Sequence, residues 1–170
     1  MKTLHLLRHA KSSWKDTGLD DHERPLSKRG RRAAEALRAD MRRAAIAPDI
    51  VLCSTALRAR QTLDLVAPAL KPPKVVLDRA IYDAGPARLL KYLAQLPEGA
   101  DCALLIGHNP ALHSLALTIA DAASTARLPP ADGKFPTGAL ASFRFSGPWR
   151  ALAPHSAVLT AYVVPGEDGQ

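Results

Sequence analysis

The chain has 170 residues, 47% of them hydrophobic, which suits one compact domain over residues 1–170 able to bury roughly two thirds of its unfolded surface. It has no apolar run of about 20 residues to cross a membrane and lacks the charged-then-apolar start of a cleaved signal, so a soluble cytoplasmic protein is expected. Basic residues outnumber acidic ones 23 to 16, for a formal charge of +7 and a pI near 9.8, which favours an anionic partner.

In chain order, the first strand-like stretch is TLHLLRHAKSSW (3–14), an apolar run that ends in Arg8 and His9 followed by small hydroxyl residues. SKRGRRAAEALRADMRRAAI (27–46) reads as a basic helix capped by Ser27, with Leu37, Met41 and Ile46 roughly along one apolar face. Its cations, gathered in 28–43, form a solvated face or a docking surface for an acidic partner. Nucleic acid is disfavoured: there is no zinc finger, no RNP-like aromatic motif and few aromatics of any kind.

PDIVLCS (48–54) reads as a short buried strand, TALRARQTLDLVAPAL (55–70) as a helix ending before Pro72 and Pro73, and KVVLD (74–78) as a third strand. IYDAGP (81–86) is a turn, ARLLKYLAQL (87–96) a helix, and CALLIG (102–107) a fourth strand. HNPALHSLALTIADAA (108–123) continues as a helix with Pro110 in its first turn. A Pro-rich loop, LPPADGKFPTG (128–138), then precedes ALASFRF and AVLTAYVV, which pair as an antiparallel edge, and residues 165–170 form a frayed tail.

Strands that alternate with helices and read as continuous apolar runs predict a three-layer α/β/α sandwich around a mainly parallel sheet. Cys53 and Cys102 lie inside two of those runs without a CxxC pair, and both read as buried thiols.

Three of the predicted strands end alike: LHLL runs into Arg8 and His9, IVLC into STALR with Arg58, and ALLIG into His108 and Asn109. In a parallel sheet these ends share one edge, the edge at which α/β proteins place ligands. Two arginines and two histidines therefore converge there, beside helix starts at Thr55 and Pro110. A phosphate fits, because a guanidinium fork binds phosphoryl oxygens bidentately. Taken singly, each residue has a plainer role: Arg58 can pair with Asp64, and His108 can cap its own helix.

LLRHAKSSW, RPLSKRG, CSTALRARQT, IYDAG, LLIGHNP and KFPTGALASF, in this order, resemble the SixA-like phosphohistidine phosphatase branch of the histidine phosphatase superfamily, which also contains the phosphoglycerate mutases. The resemblance implies a phosphoglycerate mutase-like fold and hydrolysis of phosphohistidine in proteins through a phosphorylated His9. Arg8, Arg58 and His108 would form the phosphate pocket and Ser12 would add a hydroxyl contact, with no metal and no cofactor. The arginines would hold His9 neutral and nucleophilic.

Mutases and acid phosphatases of this superfamily carry a carboxylate that protonates an alkoxide leaving group. Of the acidic residues between Arg58 and His108, only Asp83 in the IYDAGP turn is placed as a candidate general acid, and a turn aspartate is ordinarily structural. Only 49 residues separate Arg58 from His108, with no room for a lid-like insertion, so an open pocket and a phosphorylated protein side chain are favoured over an enclosed metabolite. Hydrolysis of a phosphate monoester, on a small molecule or on a phosphoprotein, is the alternative. A binding module that only recognises phosphate is another, which the intact His9 disfavours.

A cysteine phosphatase needs C-x5-R; counted from Cys53 the arginine would stand at 59, and Arg58 and Arg60 fall one residue early and one late of that position. His108 and His113, five apart, do not share a helix face and make no metal pair. His113 reads as helix surface, and His5, His22 and His155 as structural. The loop at 128–138 is expected to flank the pocket and help choose substrates.

Overall fold

A computed structural model describes residues 1–165 of the chain. Six strands lie in one sheet in the order β3-β2-β4-β1-β5-β6, where β1 is Lys2–Arg8, β2 Ile50–Cys53, β3 Lys74–Leu77, β4 Cys102–Gly107, β5 Leu140–Phe145 and β6 Val158–Val163. β1 to β4 are parallel, β5 runs antiparallel to β1, and β6 antiparallel to β5. The helices are α1 (Lys28–Arg43), α2 (Leu57–Val66), α3 (Arg79–Asp83), α4 (Pro86–Ala94), α5 (Ala111–Ile119) and α6 (Ala122–Thr125).

Alternate strand residues divide the core between the two sheet faces. Leu7, Val51, Leu104 and Ile106 pack with Leu37 and Met41 of α1 and Leu63 and Val66 of α2. Leu4, Leu6, Leu52 and Leu105 pack with Ile81 of α3, Leu89 and Leu93 of α4, and Leu112 and Leu115 of α5. The result is the expected α/β/α sandwich.

α1 starts where the Ser27 hydroxyl accepts the Gly30 N–H at 3.0 Å, and it buries Gly30, Ala34, Leu37 and Met41 at helical spacing. Ile46 is buried too, but lies beyond the helix, because the chain turns out through Ala45 at φ +52°. Arg29, Arg31, Arg32, Arg42 and Arg43 remain exposed.

Four elements depart from the expectation. The 81–86 segment is not a simple turn: the Asp78 carboxylate accepts the Ala80 N–H at 2.8 Å and caps α3, which carries Tyr82 and Asp83. The helix expected over 108–123 breaks at Ala120, where Asp121 caps a separate α6 by accepting the Ser124 N–H at 2.8 Å. β3 is an edge strand covered on one side only, so Val75 and Leu77 are 46% and 50% exposed. Of the expected frayed tail, Pro165 packs against Gly138, where φ of +77° and the space left by a missing Cβ both require glycine; residues 166–170 lie outside the described range.

Among the described residues no helix is long and apolar enough to cross a membrane. Both cysteines are free; Cys53 is buried as expected, and Cys102 only half-buried.

Candidate active site

The parallel register sets the site. Arg8 pairs with Gly107 and Cys53 with Ile106, so the chain leaves β1, β2 and β4 at one edge as Arg8–His9, Ser54 and His108–Asn109. α2 starts two residues later than expected, at Leu57, and brings Arg58 to the same edge in its first turn; α5 starts one residue after Pro110. Arg8, His9, Ser12, Arg58, His108 and Asn109 share the wall of a cavity of about 400 Å³.

His9 is buried, and its Nδ1 lies 2.7 Å from the carbonyl of Ala10. A carbonyl only accepts, so Nδ1 carries the proton and Nε2 keeps its lone pair. Burial holds the His9 pKa down at about 3; the Ala10 hydrogen bond opposes this, and His108, Arg58 and Arg8 add smaller depressions. The sequence assigned the neutral ring to the arginines, but desolvation is the larger cause.

The His108 ring stands 5.1 Å from that of His9, centroid to centroid, and its pKa is lowered to about 4 by burial and then by Arg58. Its Nε2 lies 2.7 Å from the Ser54 hydroxyl, which already accepts the Ala56 N–H at 3.1 Å. When the hydroxyl gives its proton to Nε2, the ring carries its own proton on Nδ1, which has no partner among the described residues. The buried Arg8 Nε is likewise unpaired there. Both are suited to phosphoryl oxygens.

Arg58 does not pair with Asp64. Its two terminal nitrogens donate to the Asp21 carbonyl at 2.6 Å and the Asp21 carboxylate at 2.9 Å. The same carboxylate accepts the Tyr82 hydroxyl at 2.6 Å and Arg24 at 2.8 Å. These hydrogen bonds, Tyr82 first and then Arg24 and Arg58, hold Asp21 well below the usual carboxylate range and keep it ionised. Arg24 also donates to the hydroxyl of Ser12, which keeps Ser12 at the cavity wall.

The Pro-rich loop does flank the cavity, through Lys134, Pro136 and Thr137. It is tied down at the Phe135 carbonyl, which accepts from Arg8 at 3.0 Å and from the Asn109 amide at 2.8 Å.

Asp83 is corrected: it lies outside the cavity wall, is 54% exposed, and faces Arg79 at 3.6 Å. Its neighbour Tyr82 is the residue of that segment that reaches the site, edge-on to His108 at 5.3 Å. His113 is also corrected from surface to buried, stacked on Phe135 with Nε2 2.9 Å from the Pro129 carbonyl. His5 is structural as expected, with Nδ1 2.7 Å from the Ser142 hydroxyl. His22 sits closer to the site than expected, bonded to Thr55 at 2.7 Å and edge-on to Tyr82 at 4.8 Å.

Sequence reasoning missed Asp21, Arg24, Ser54 and Tyr82. All four lie in or beside segments already singled out (Asp21 just ahead of RPLSKRG, the others in RPLSKRG, CSTALRARQT and IYDAG), yet nothing local says that they meet.

Residues 4–83 match the histidine phosphatase superfamily (branch 1). An uncharacterised protein of Mycobacterium tuberculosis strain H37Rv is 37% identical over 164 residues, covering 94% of this chain and 99% of that one. Among solved structures, a protein assigned as the phosphohistidine phosphatase SixA of Nakamurella multipartitia superposes with a TM-score of 0.81 at 31% identity, over 96% of both chains. One assigned likewise from Agrobacterium tumefaciens gives 0.81 at 29%, over 96% of this chain and 98% of that one. The protein histidine phosphatase SixA in complex with tungstate, 21% identical, shares the fold at a TM-score of 0.75 over 94% of this chain and 95% of that one. With the strand order, the cavity and these likenesses together, the chain belongs to the histidine phosphatase superfamily, has its phosphoglycerate mutase-like fold, and is SixA-like within it.

Proposed function

We propose that this chain is a phosphatase that removes the phosphoryl group from phosphohistidine in proteins through a phosphorylated His9. One observation carries the reading: a buried histidine in the wall of a cationic cavity, its Nδ1 proton held by the Ala10 carbonyl and its Nε2 lone pair free.

The Nε2 lone pair attacks phosphorus, and the P–N bond to the substrate histidine breaks with its electron pair returning to that ring, which carries a proton on its other nitrogen and so departs as neutral imidazole. The His9 ring becomes positively charged, and the Ala10 carbonyl at Nδ1 stabilises that charge. Water then attacks phospho-His9, its oxygen bonding to phosphorus as the P–N pair returns to the ring; inorganic phosphate departs with the water protons shared between it and solvent, and His9 is again neutral. Arg8, Arg58 and the Nδ1–H of His108 bear the charge on the equatorial oxygens through both transfers.

No carboxylate or phenol lines the cavity among the described residues; Tyr82 stands edge-on to His108, but its hydroxyl proton is given to the Asp21 carboxylate. This favours a substrate whose leaving group needs little help, as an imidazole does and an alkoxide does not. The segment between α2 and β4 holds only β3, α3, α4 and short turns, in keeping with an open site for a protein side chain.

The test is hydrolysis, in EDTA, of a phosphohistidine protein, a phosphoserine peptide and an aryl phosphate by wild type and His9→Ala. Phosphohistidine is expected to be the best substrate, with turnover abolished in the variant. Turnover that survives His9→Ala, or preference for the phosphoserine peptide, overturns the proposal.

A further inference from the structure

The cavity holds more positive charge than one phosphoryl group requires. Beyond Arg8 and Arg58, its wall includes Lys11, Arg24 and Lys134, and among the described residues the one carboxylate bonded to this group is Asp21. Five cations thus face one anion, and a phosphoryl dianion neutralises about half of the surplus. The remainder lies on the rim, since Lys11 and Lys134 are exposed whereas Arg8, Arg24 and Arg58 are largely buried. The volume, about 400 Å³, falls within the range of roughly 300–1,000 Å³ that holds a whole small molecule.

Trp14, in the same wall, is 73% exposed. It is nonetheless held: the Arg24 guanidinium carbon sits 3.2 Å from the ring centroid, and Arg24 is itself fixed by Asp21, the Ser13 carbonyl and Ser12. One indole face is therefore occupied and the other is open, at the mouth of a phosphate-binding cavity. An open, braced indole is a stacking surface for a flat aromatic group.

A second phosphate for the rim, a flat ring for Trp14 and a leaving group that needs no acid define one chemical class. We infer that the same site hydrolyses the terminal phosphoanhydride of nucleoside diphosphates. The inference rests on the phospho-His9 chemistry proposed above. The Nε2 lone pair of His9 forms a bond to the β-phosphorus, and the bond from phosphorus to the bridging oxygen breaks. The electron pair stays on that oxygen, which departs as a nucleoside monophosphate.

A phosphate monoester has a second pKa of about 6, so it leaves at neutral pH without taking a proton. Lys11 and Lys134 bear its charge. Water then attacks phospho-His9, its oxygen bonding to phosphorus as the P–N pair returns to the ring. The net change is diphosphate plus water giving monophosphate, inorganic phosphate and one proton.

The experiment follows phosphate release by the full chain from ADP, AMP, inorganic pyrophosphate and a phosphohistidine protein, in EDTA, with wild type, His9→Ala, Lys11→Ala/Lys134→Ala and Trp14→Ala. ADP hydrolysis that is lost in His9→Ala, with AMP inert, is the expected result. The double lysine variant should lower kcat/KM for ADP about tenfold more than that for phosphohistidine. Trp14→Ala should raise KM about tenfold for ADP but not for pyrophosphate. Hydrolysis of phosphohistidine without ADP overturns this inference and leaves the phosphatase reading standing, whereas failure on every substrate overturns that reading as well. ADP turnover indifferent to the lysine and tryptophan changes overturns the assignment of the rim.

Discussion

Asp21 grips Arg58 at both ends of its fork, by its carbonyl at 2.6 Å and its carboxylate at 2.9 Å. An arginine side chain has several rotatable bonds, and this double contact fixes its planar group beside the histidines before substrate arrives. Asp21→Asn keeps the carbonyl contact and loses the charge. We expect kcat/KM to fall by about 10- to 100-fold, the range that a displaced positioning contact commonly costs. Tyr82→Phe, which removes one of three donors to the same carboxylate, should cost less. Steady-state kinetics on one substrate with both variants checks the order.

In the proposed reaction Ser54 acts through His108. Its hydroxyl bonds both the Ala56 N–H and His108 Nε2, and its side chain is fully buried. Ser54→Ala strands the Ala56 N–H and frees the ring to take the other tautomer. Stability should fall by about 1–3 kcal/mol, and kcat should fall more than KM rises. Urea unfolding and steady-state kinetics on the same preparation separate the two effects. An unchanged kcat would remove Ser54 from the positioning of His108.

Gly30 ties the basic helix to the site. A Cβ there would stand 2.0 Å from the Lys11 carbonyl, so α1 can lie against the Lys11–Ser12 segment only with glycine at that position. Gly30→Ala should destabilise the fold by about 1–3 kcal/mol through overpacking against backbone, and should also lower activity by shifting Ser12. Thermal unfolding and turnover at a temperature where the variant remains folded test both parts.

Acid should destabilise the protein well above the range in which carboxylates titrate. The folded-state pKa values of His5, His108 and His9 lie near 4, 4 and 3, each lowered chiefly by burial from an unfolded value of 6.5. Below pH 6.5 the unfolded chain takes up protons that the folded chain refuses, so stability falls with pH until the folded-state values are reached. Each such histidine contributes about 1.4 kcal/mol per pH unit inside its window. Asp21, depressed in the usual carboxylate manner, adds a further loss of the same sign only below about pH 4. The urea midpoint should therefore drop steadily from pH 6.5 to pH 4.5, and a flat midpoint over that interval contradicts the assignment.

Asp83 provides the contrast to Asp21. Exposed and facing Arg79, it lies outside the cavity, and Asp83→Asn should leave turnover within about twofold of wild type. A larger loss would place a proton donor where the geometry has none.

The sequence by itself determined the sandwich and the four groups at its centre. The strand and helix patterns are local, and a parallel sheet brings the C-terminal ends of β1, β2 and β4 to one edge whatever else the chain does. Arg8, His9, Arg58 and His108 each follow such an end closely enough for that rule to place them. Only the tertiary structure decided what orients them. Asp21 meets Arg58 across 37 residues and Tyr82 across 61, and Arg8 meets the Phe135 carbonyl across 127. Nor could pattern alone separate Tyr82 from Asp83, which share one short helix: only the packing of α3 against the sheet sends the first to Asp21 and leaves the second in solvent. His113 was misplaced for the same reason, since its burial is supplied by Phe135 and Pro129, which no helical periodicity reports. Periodicity tells which face of an element is covered; what a polar side chain meets there depends on segments distant in the chain.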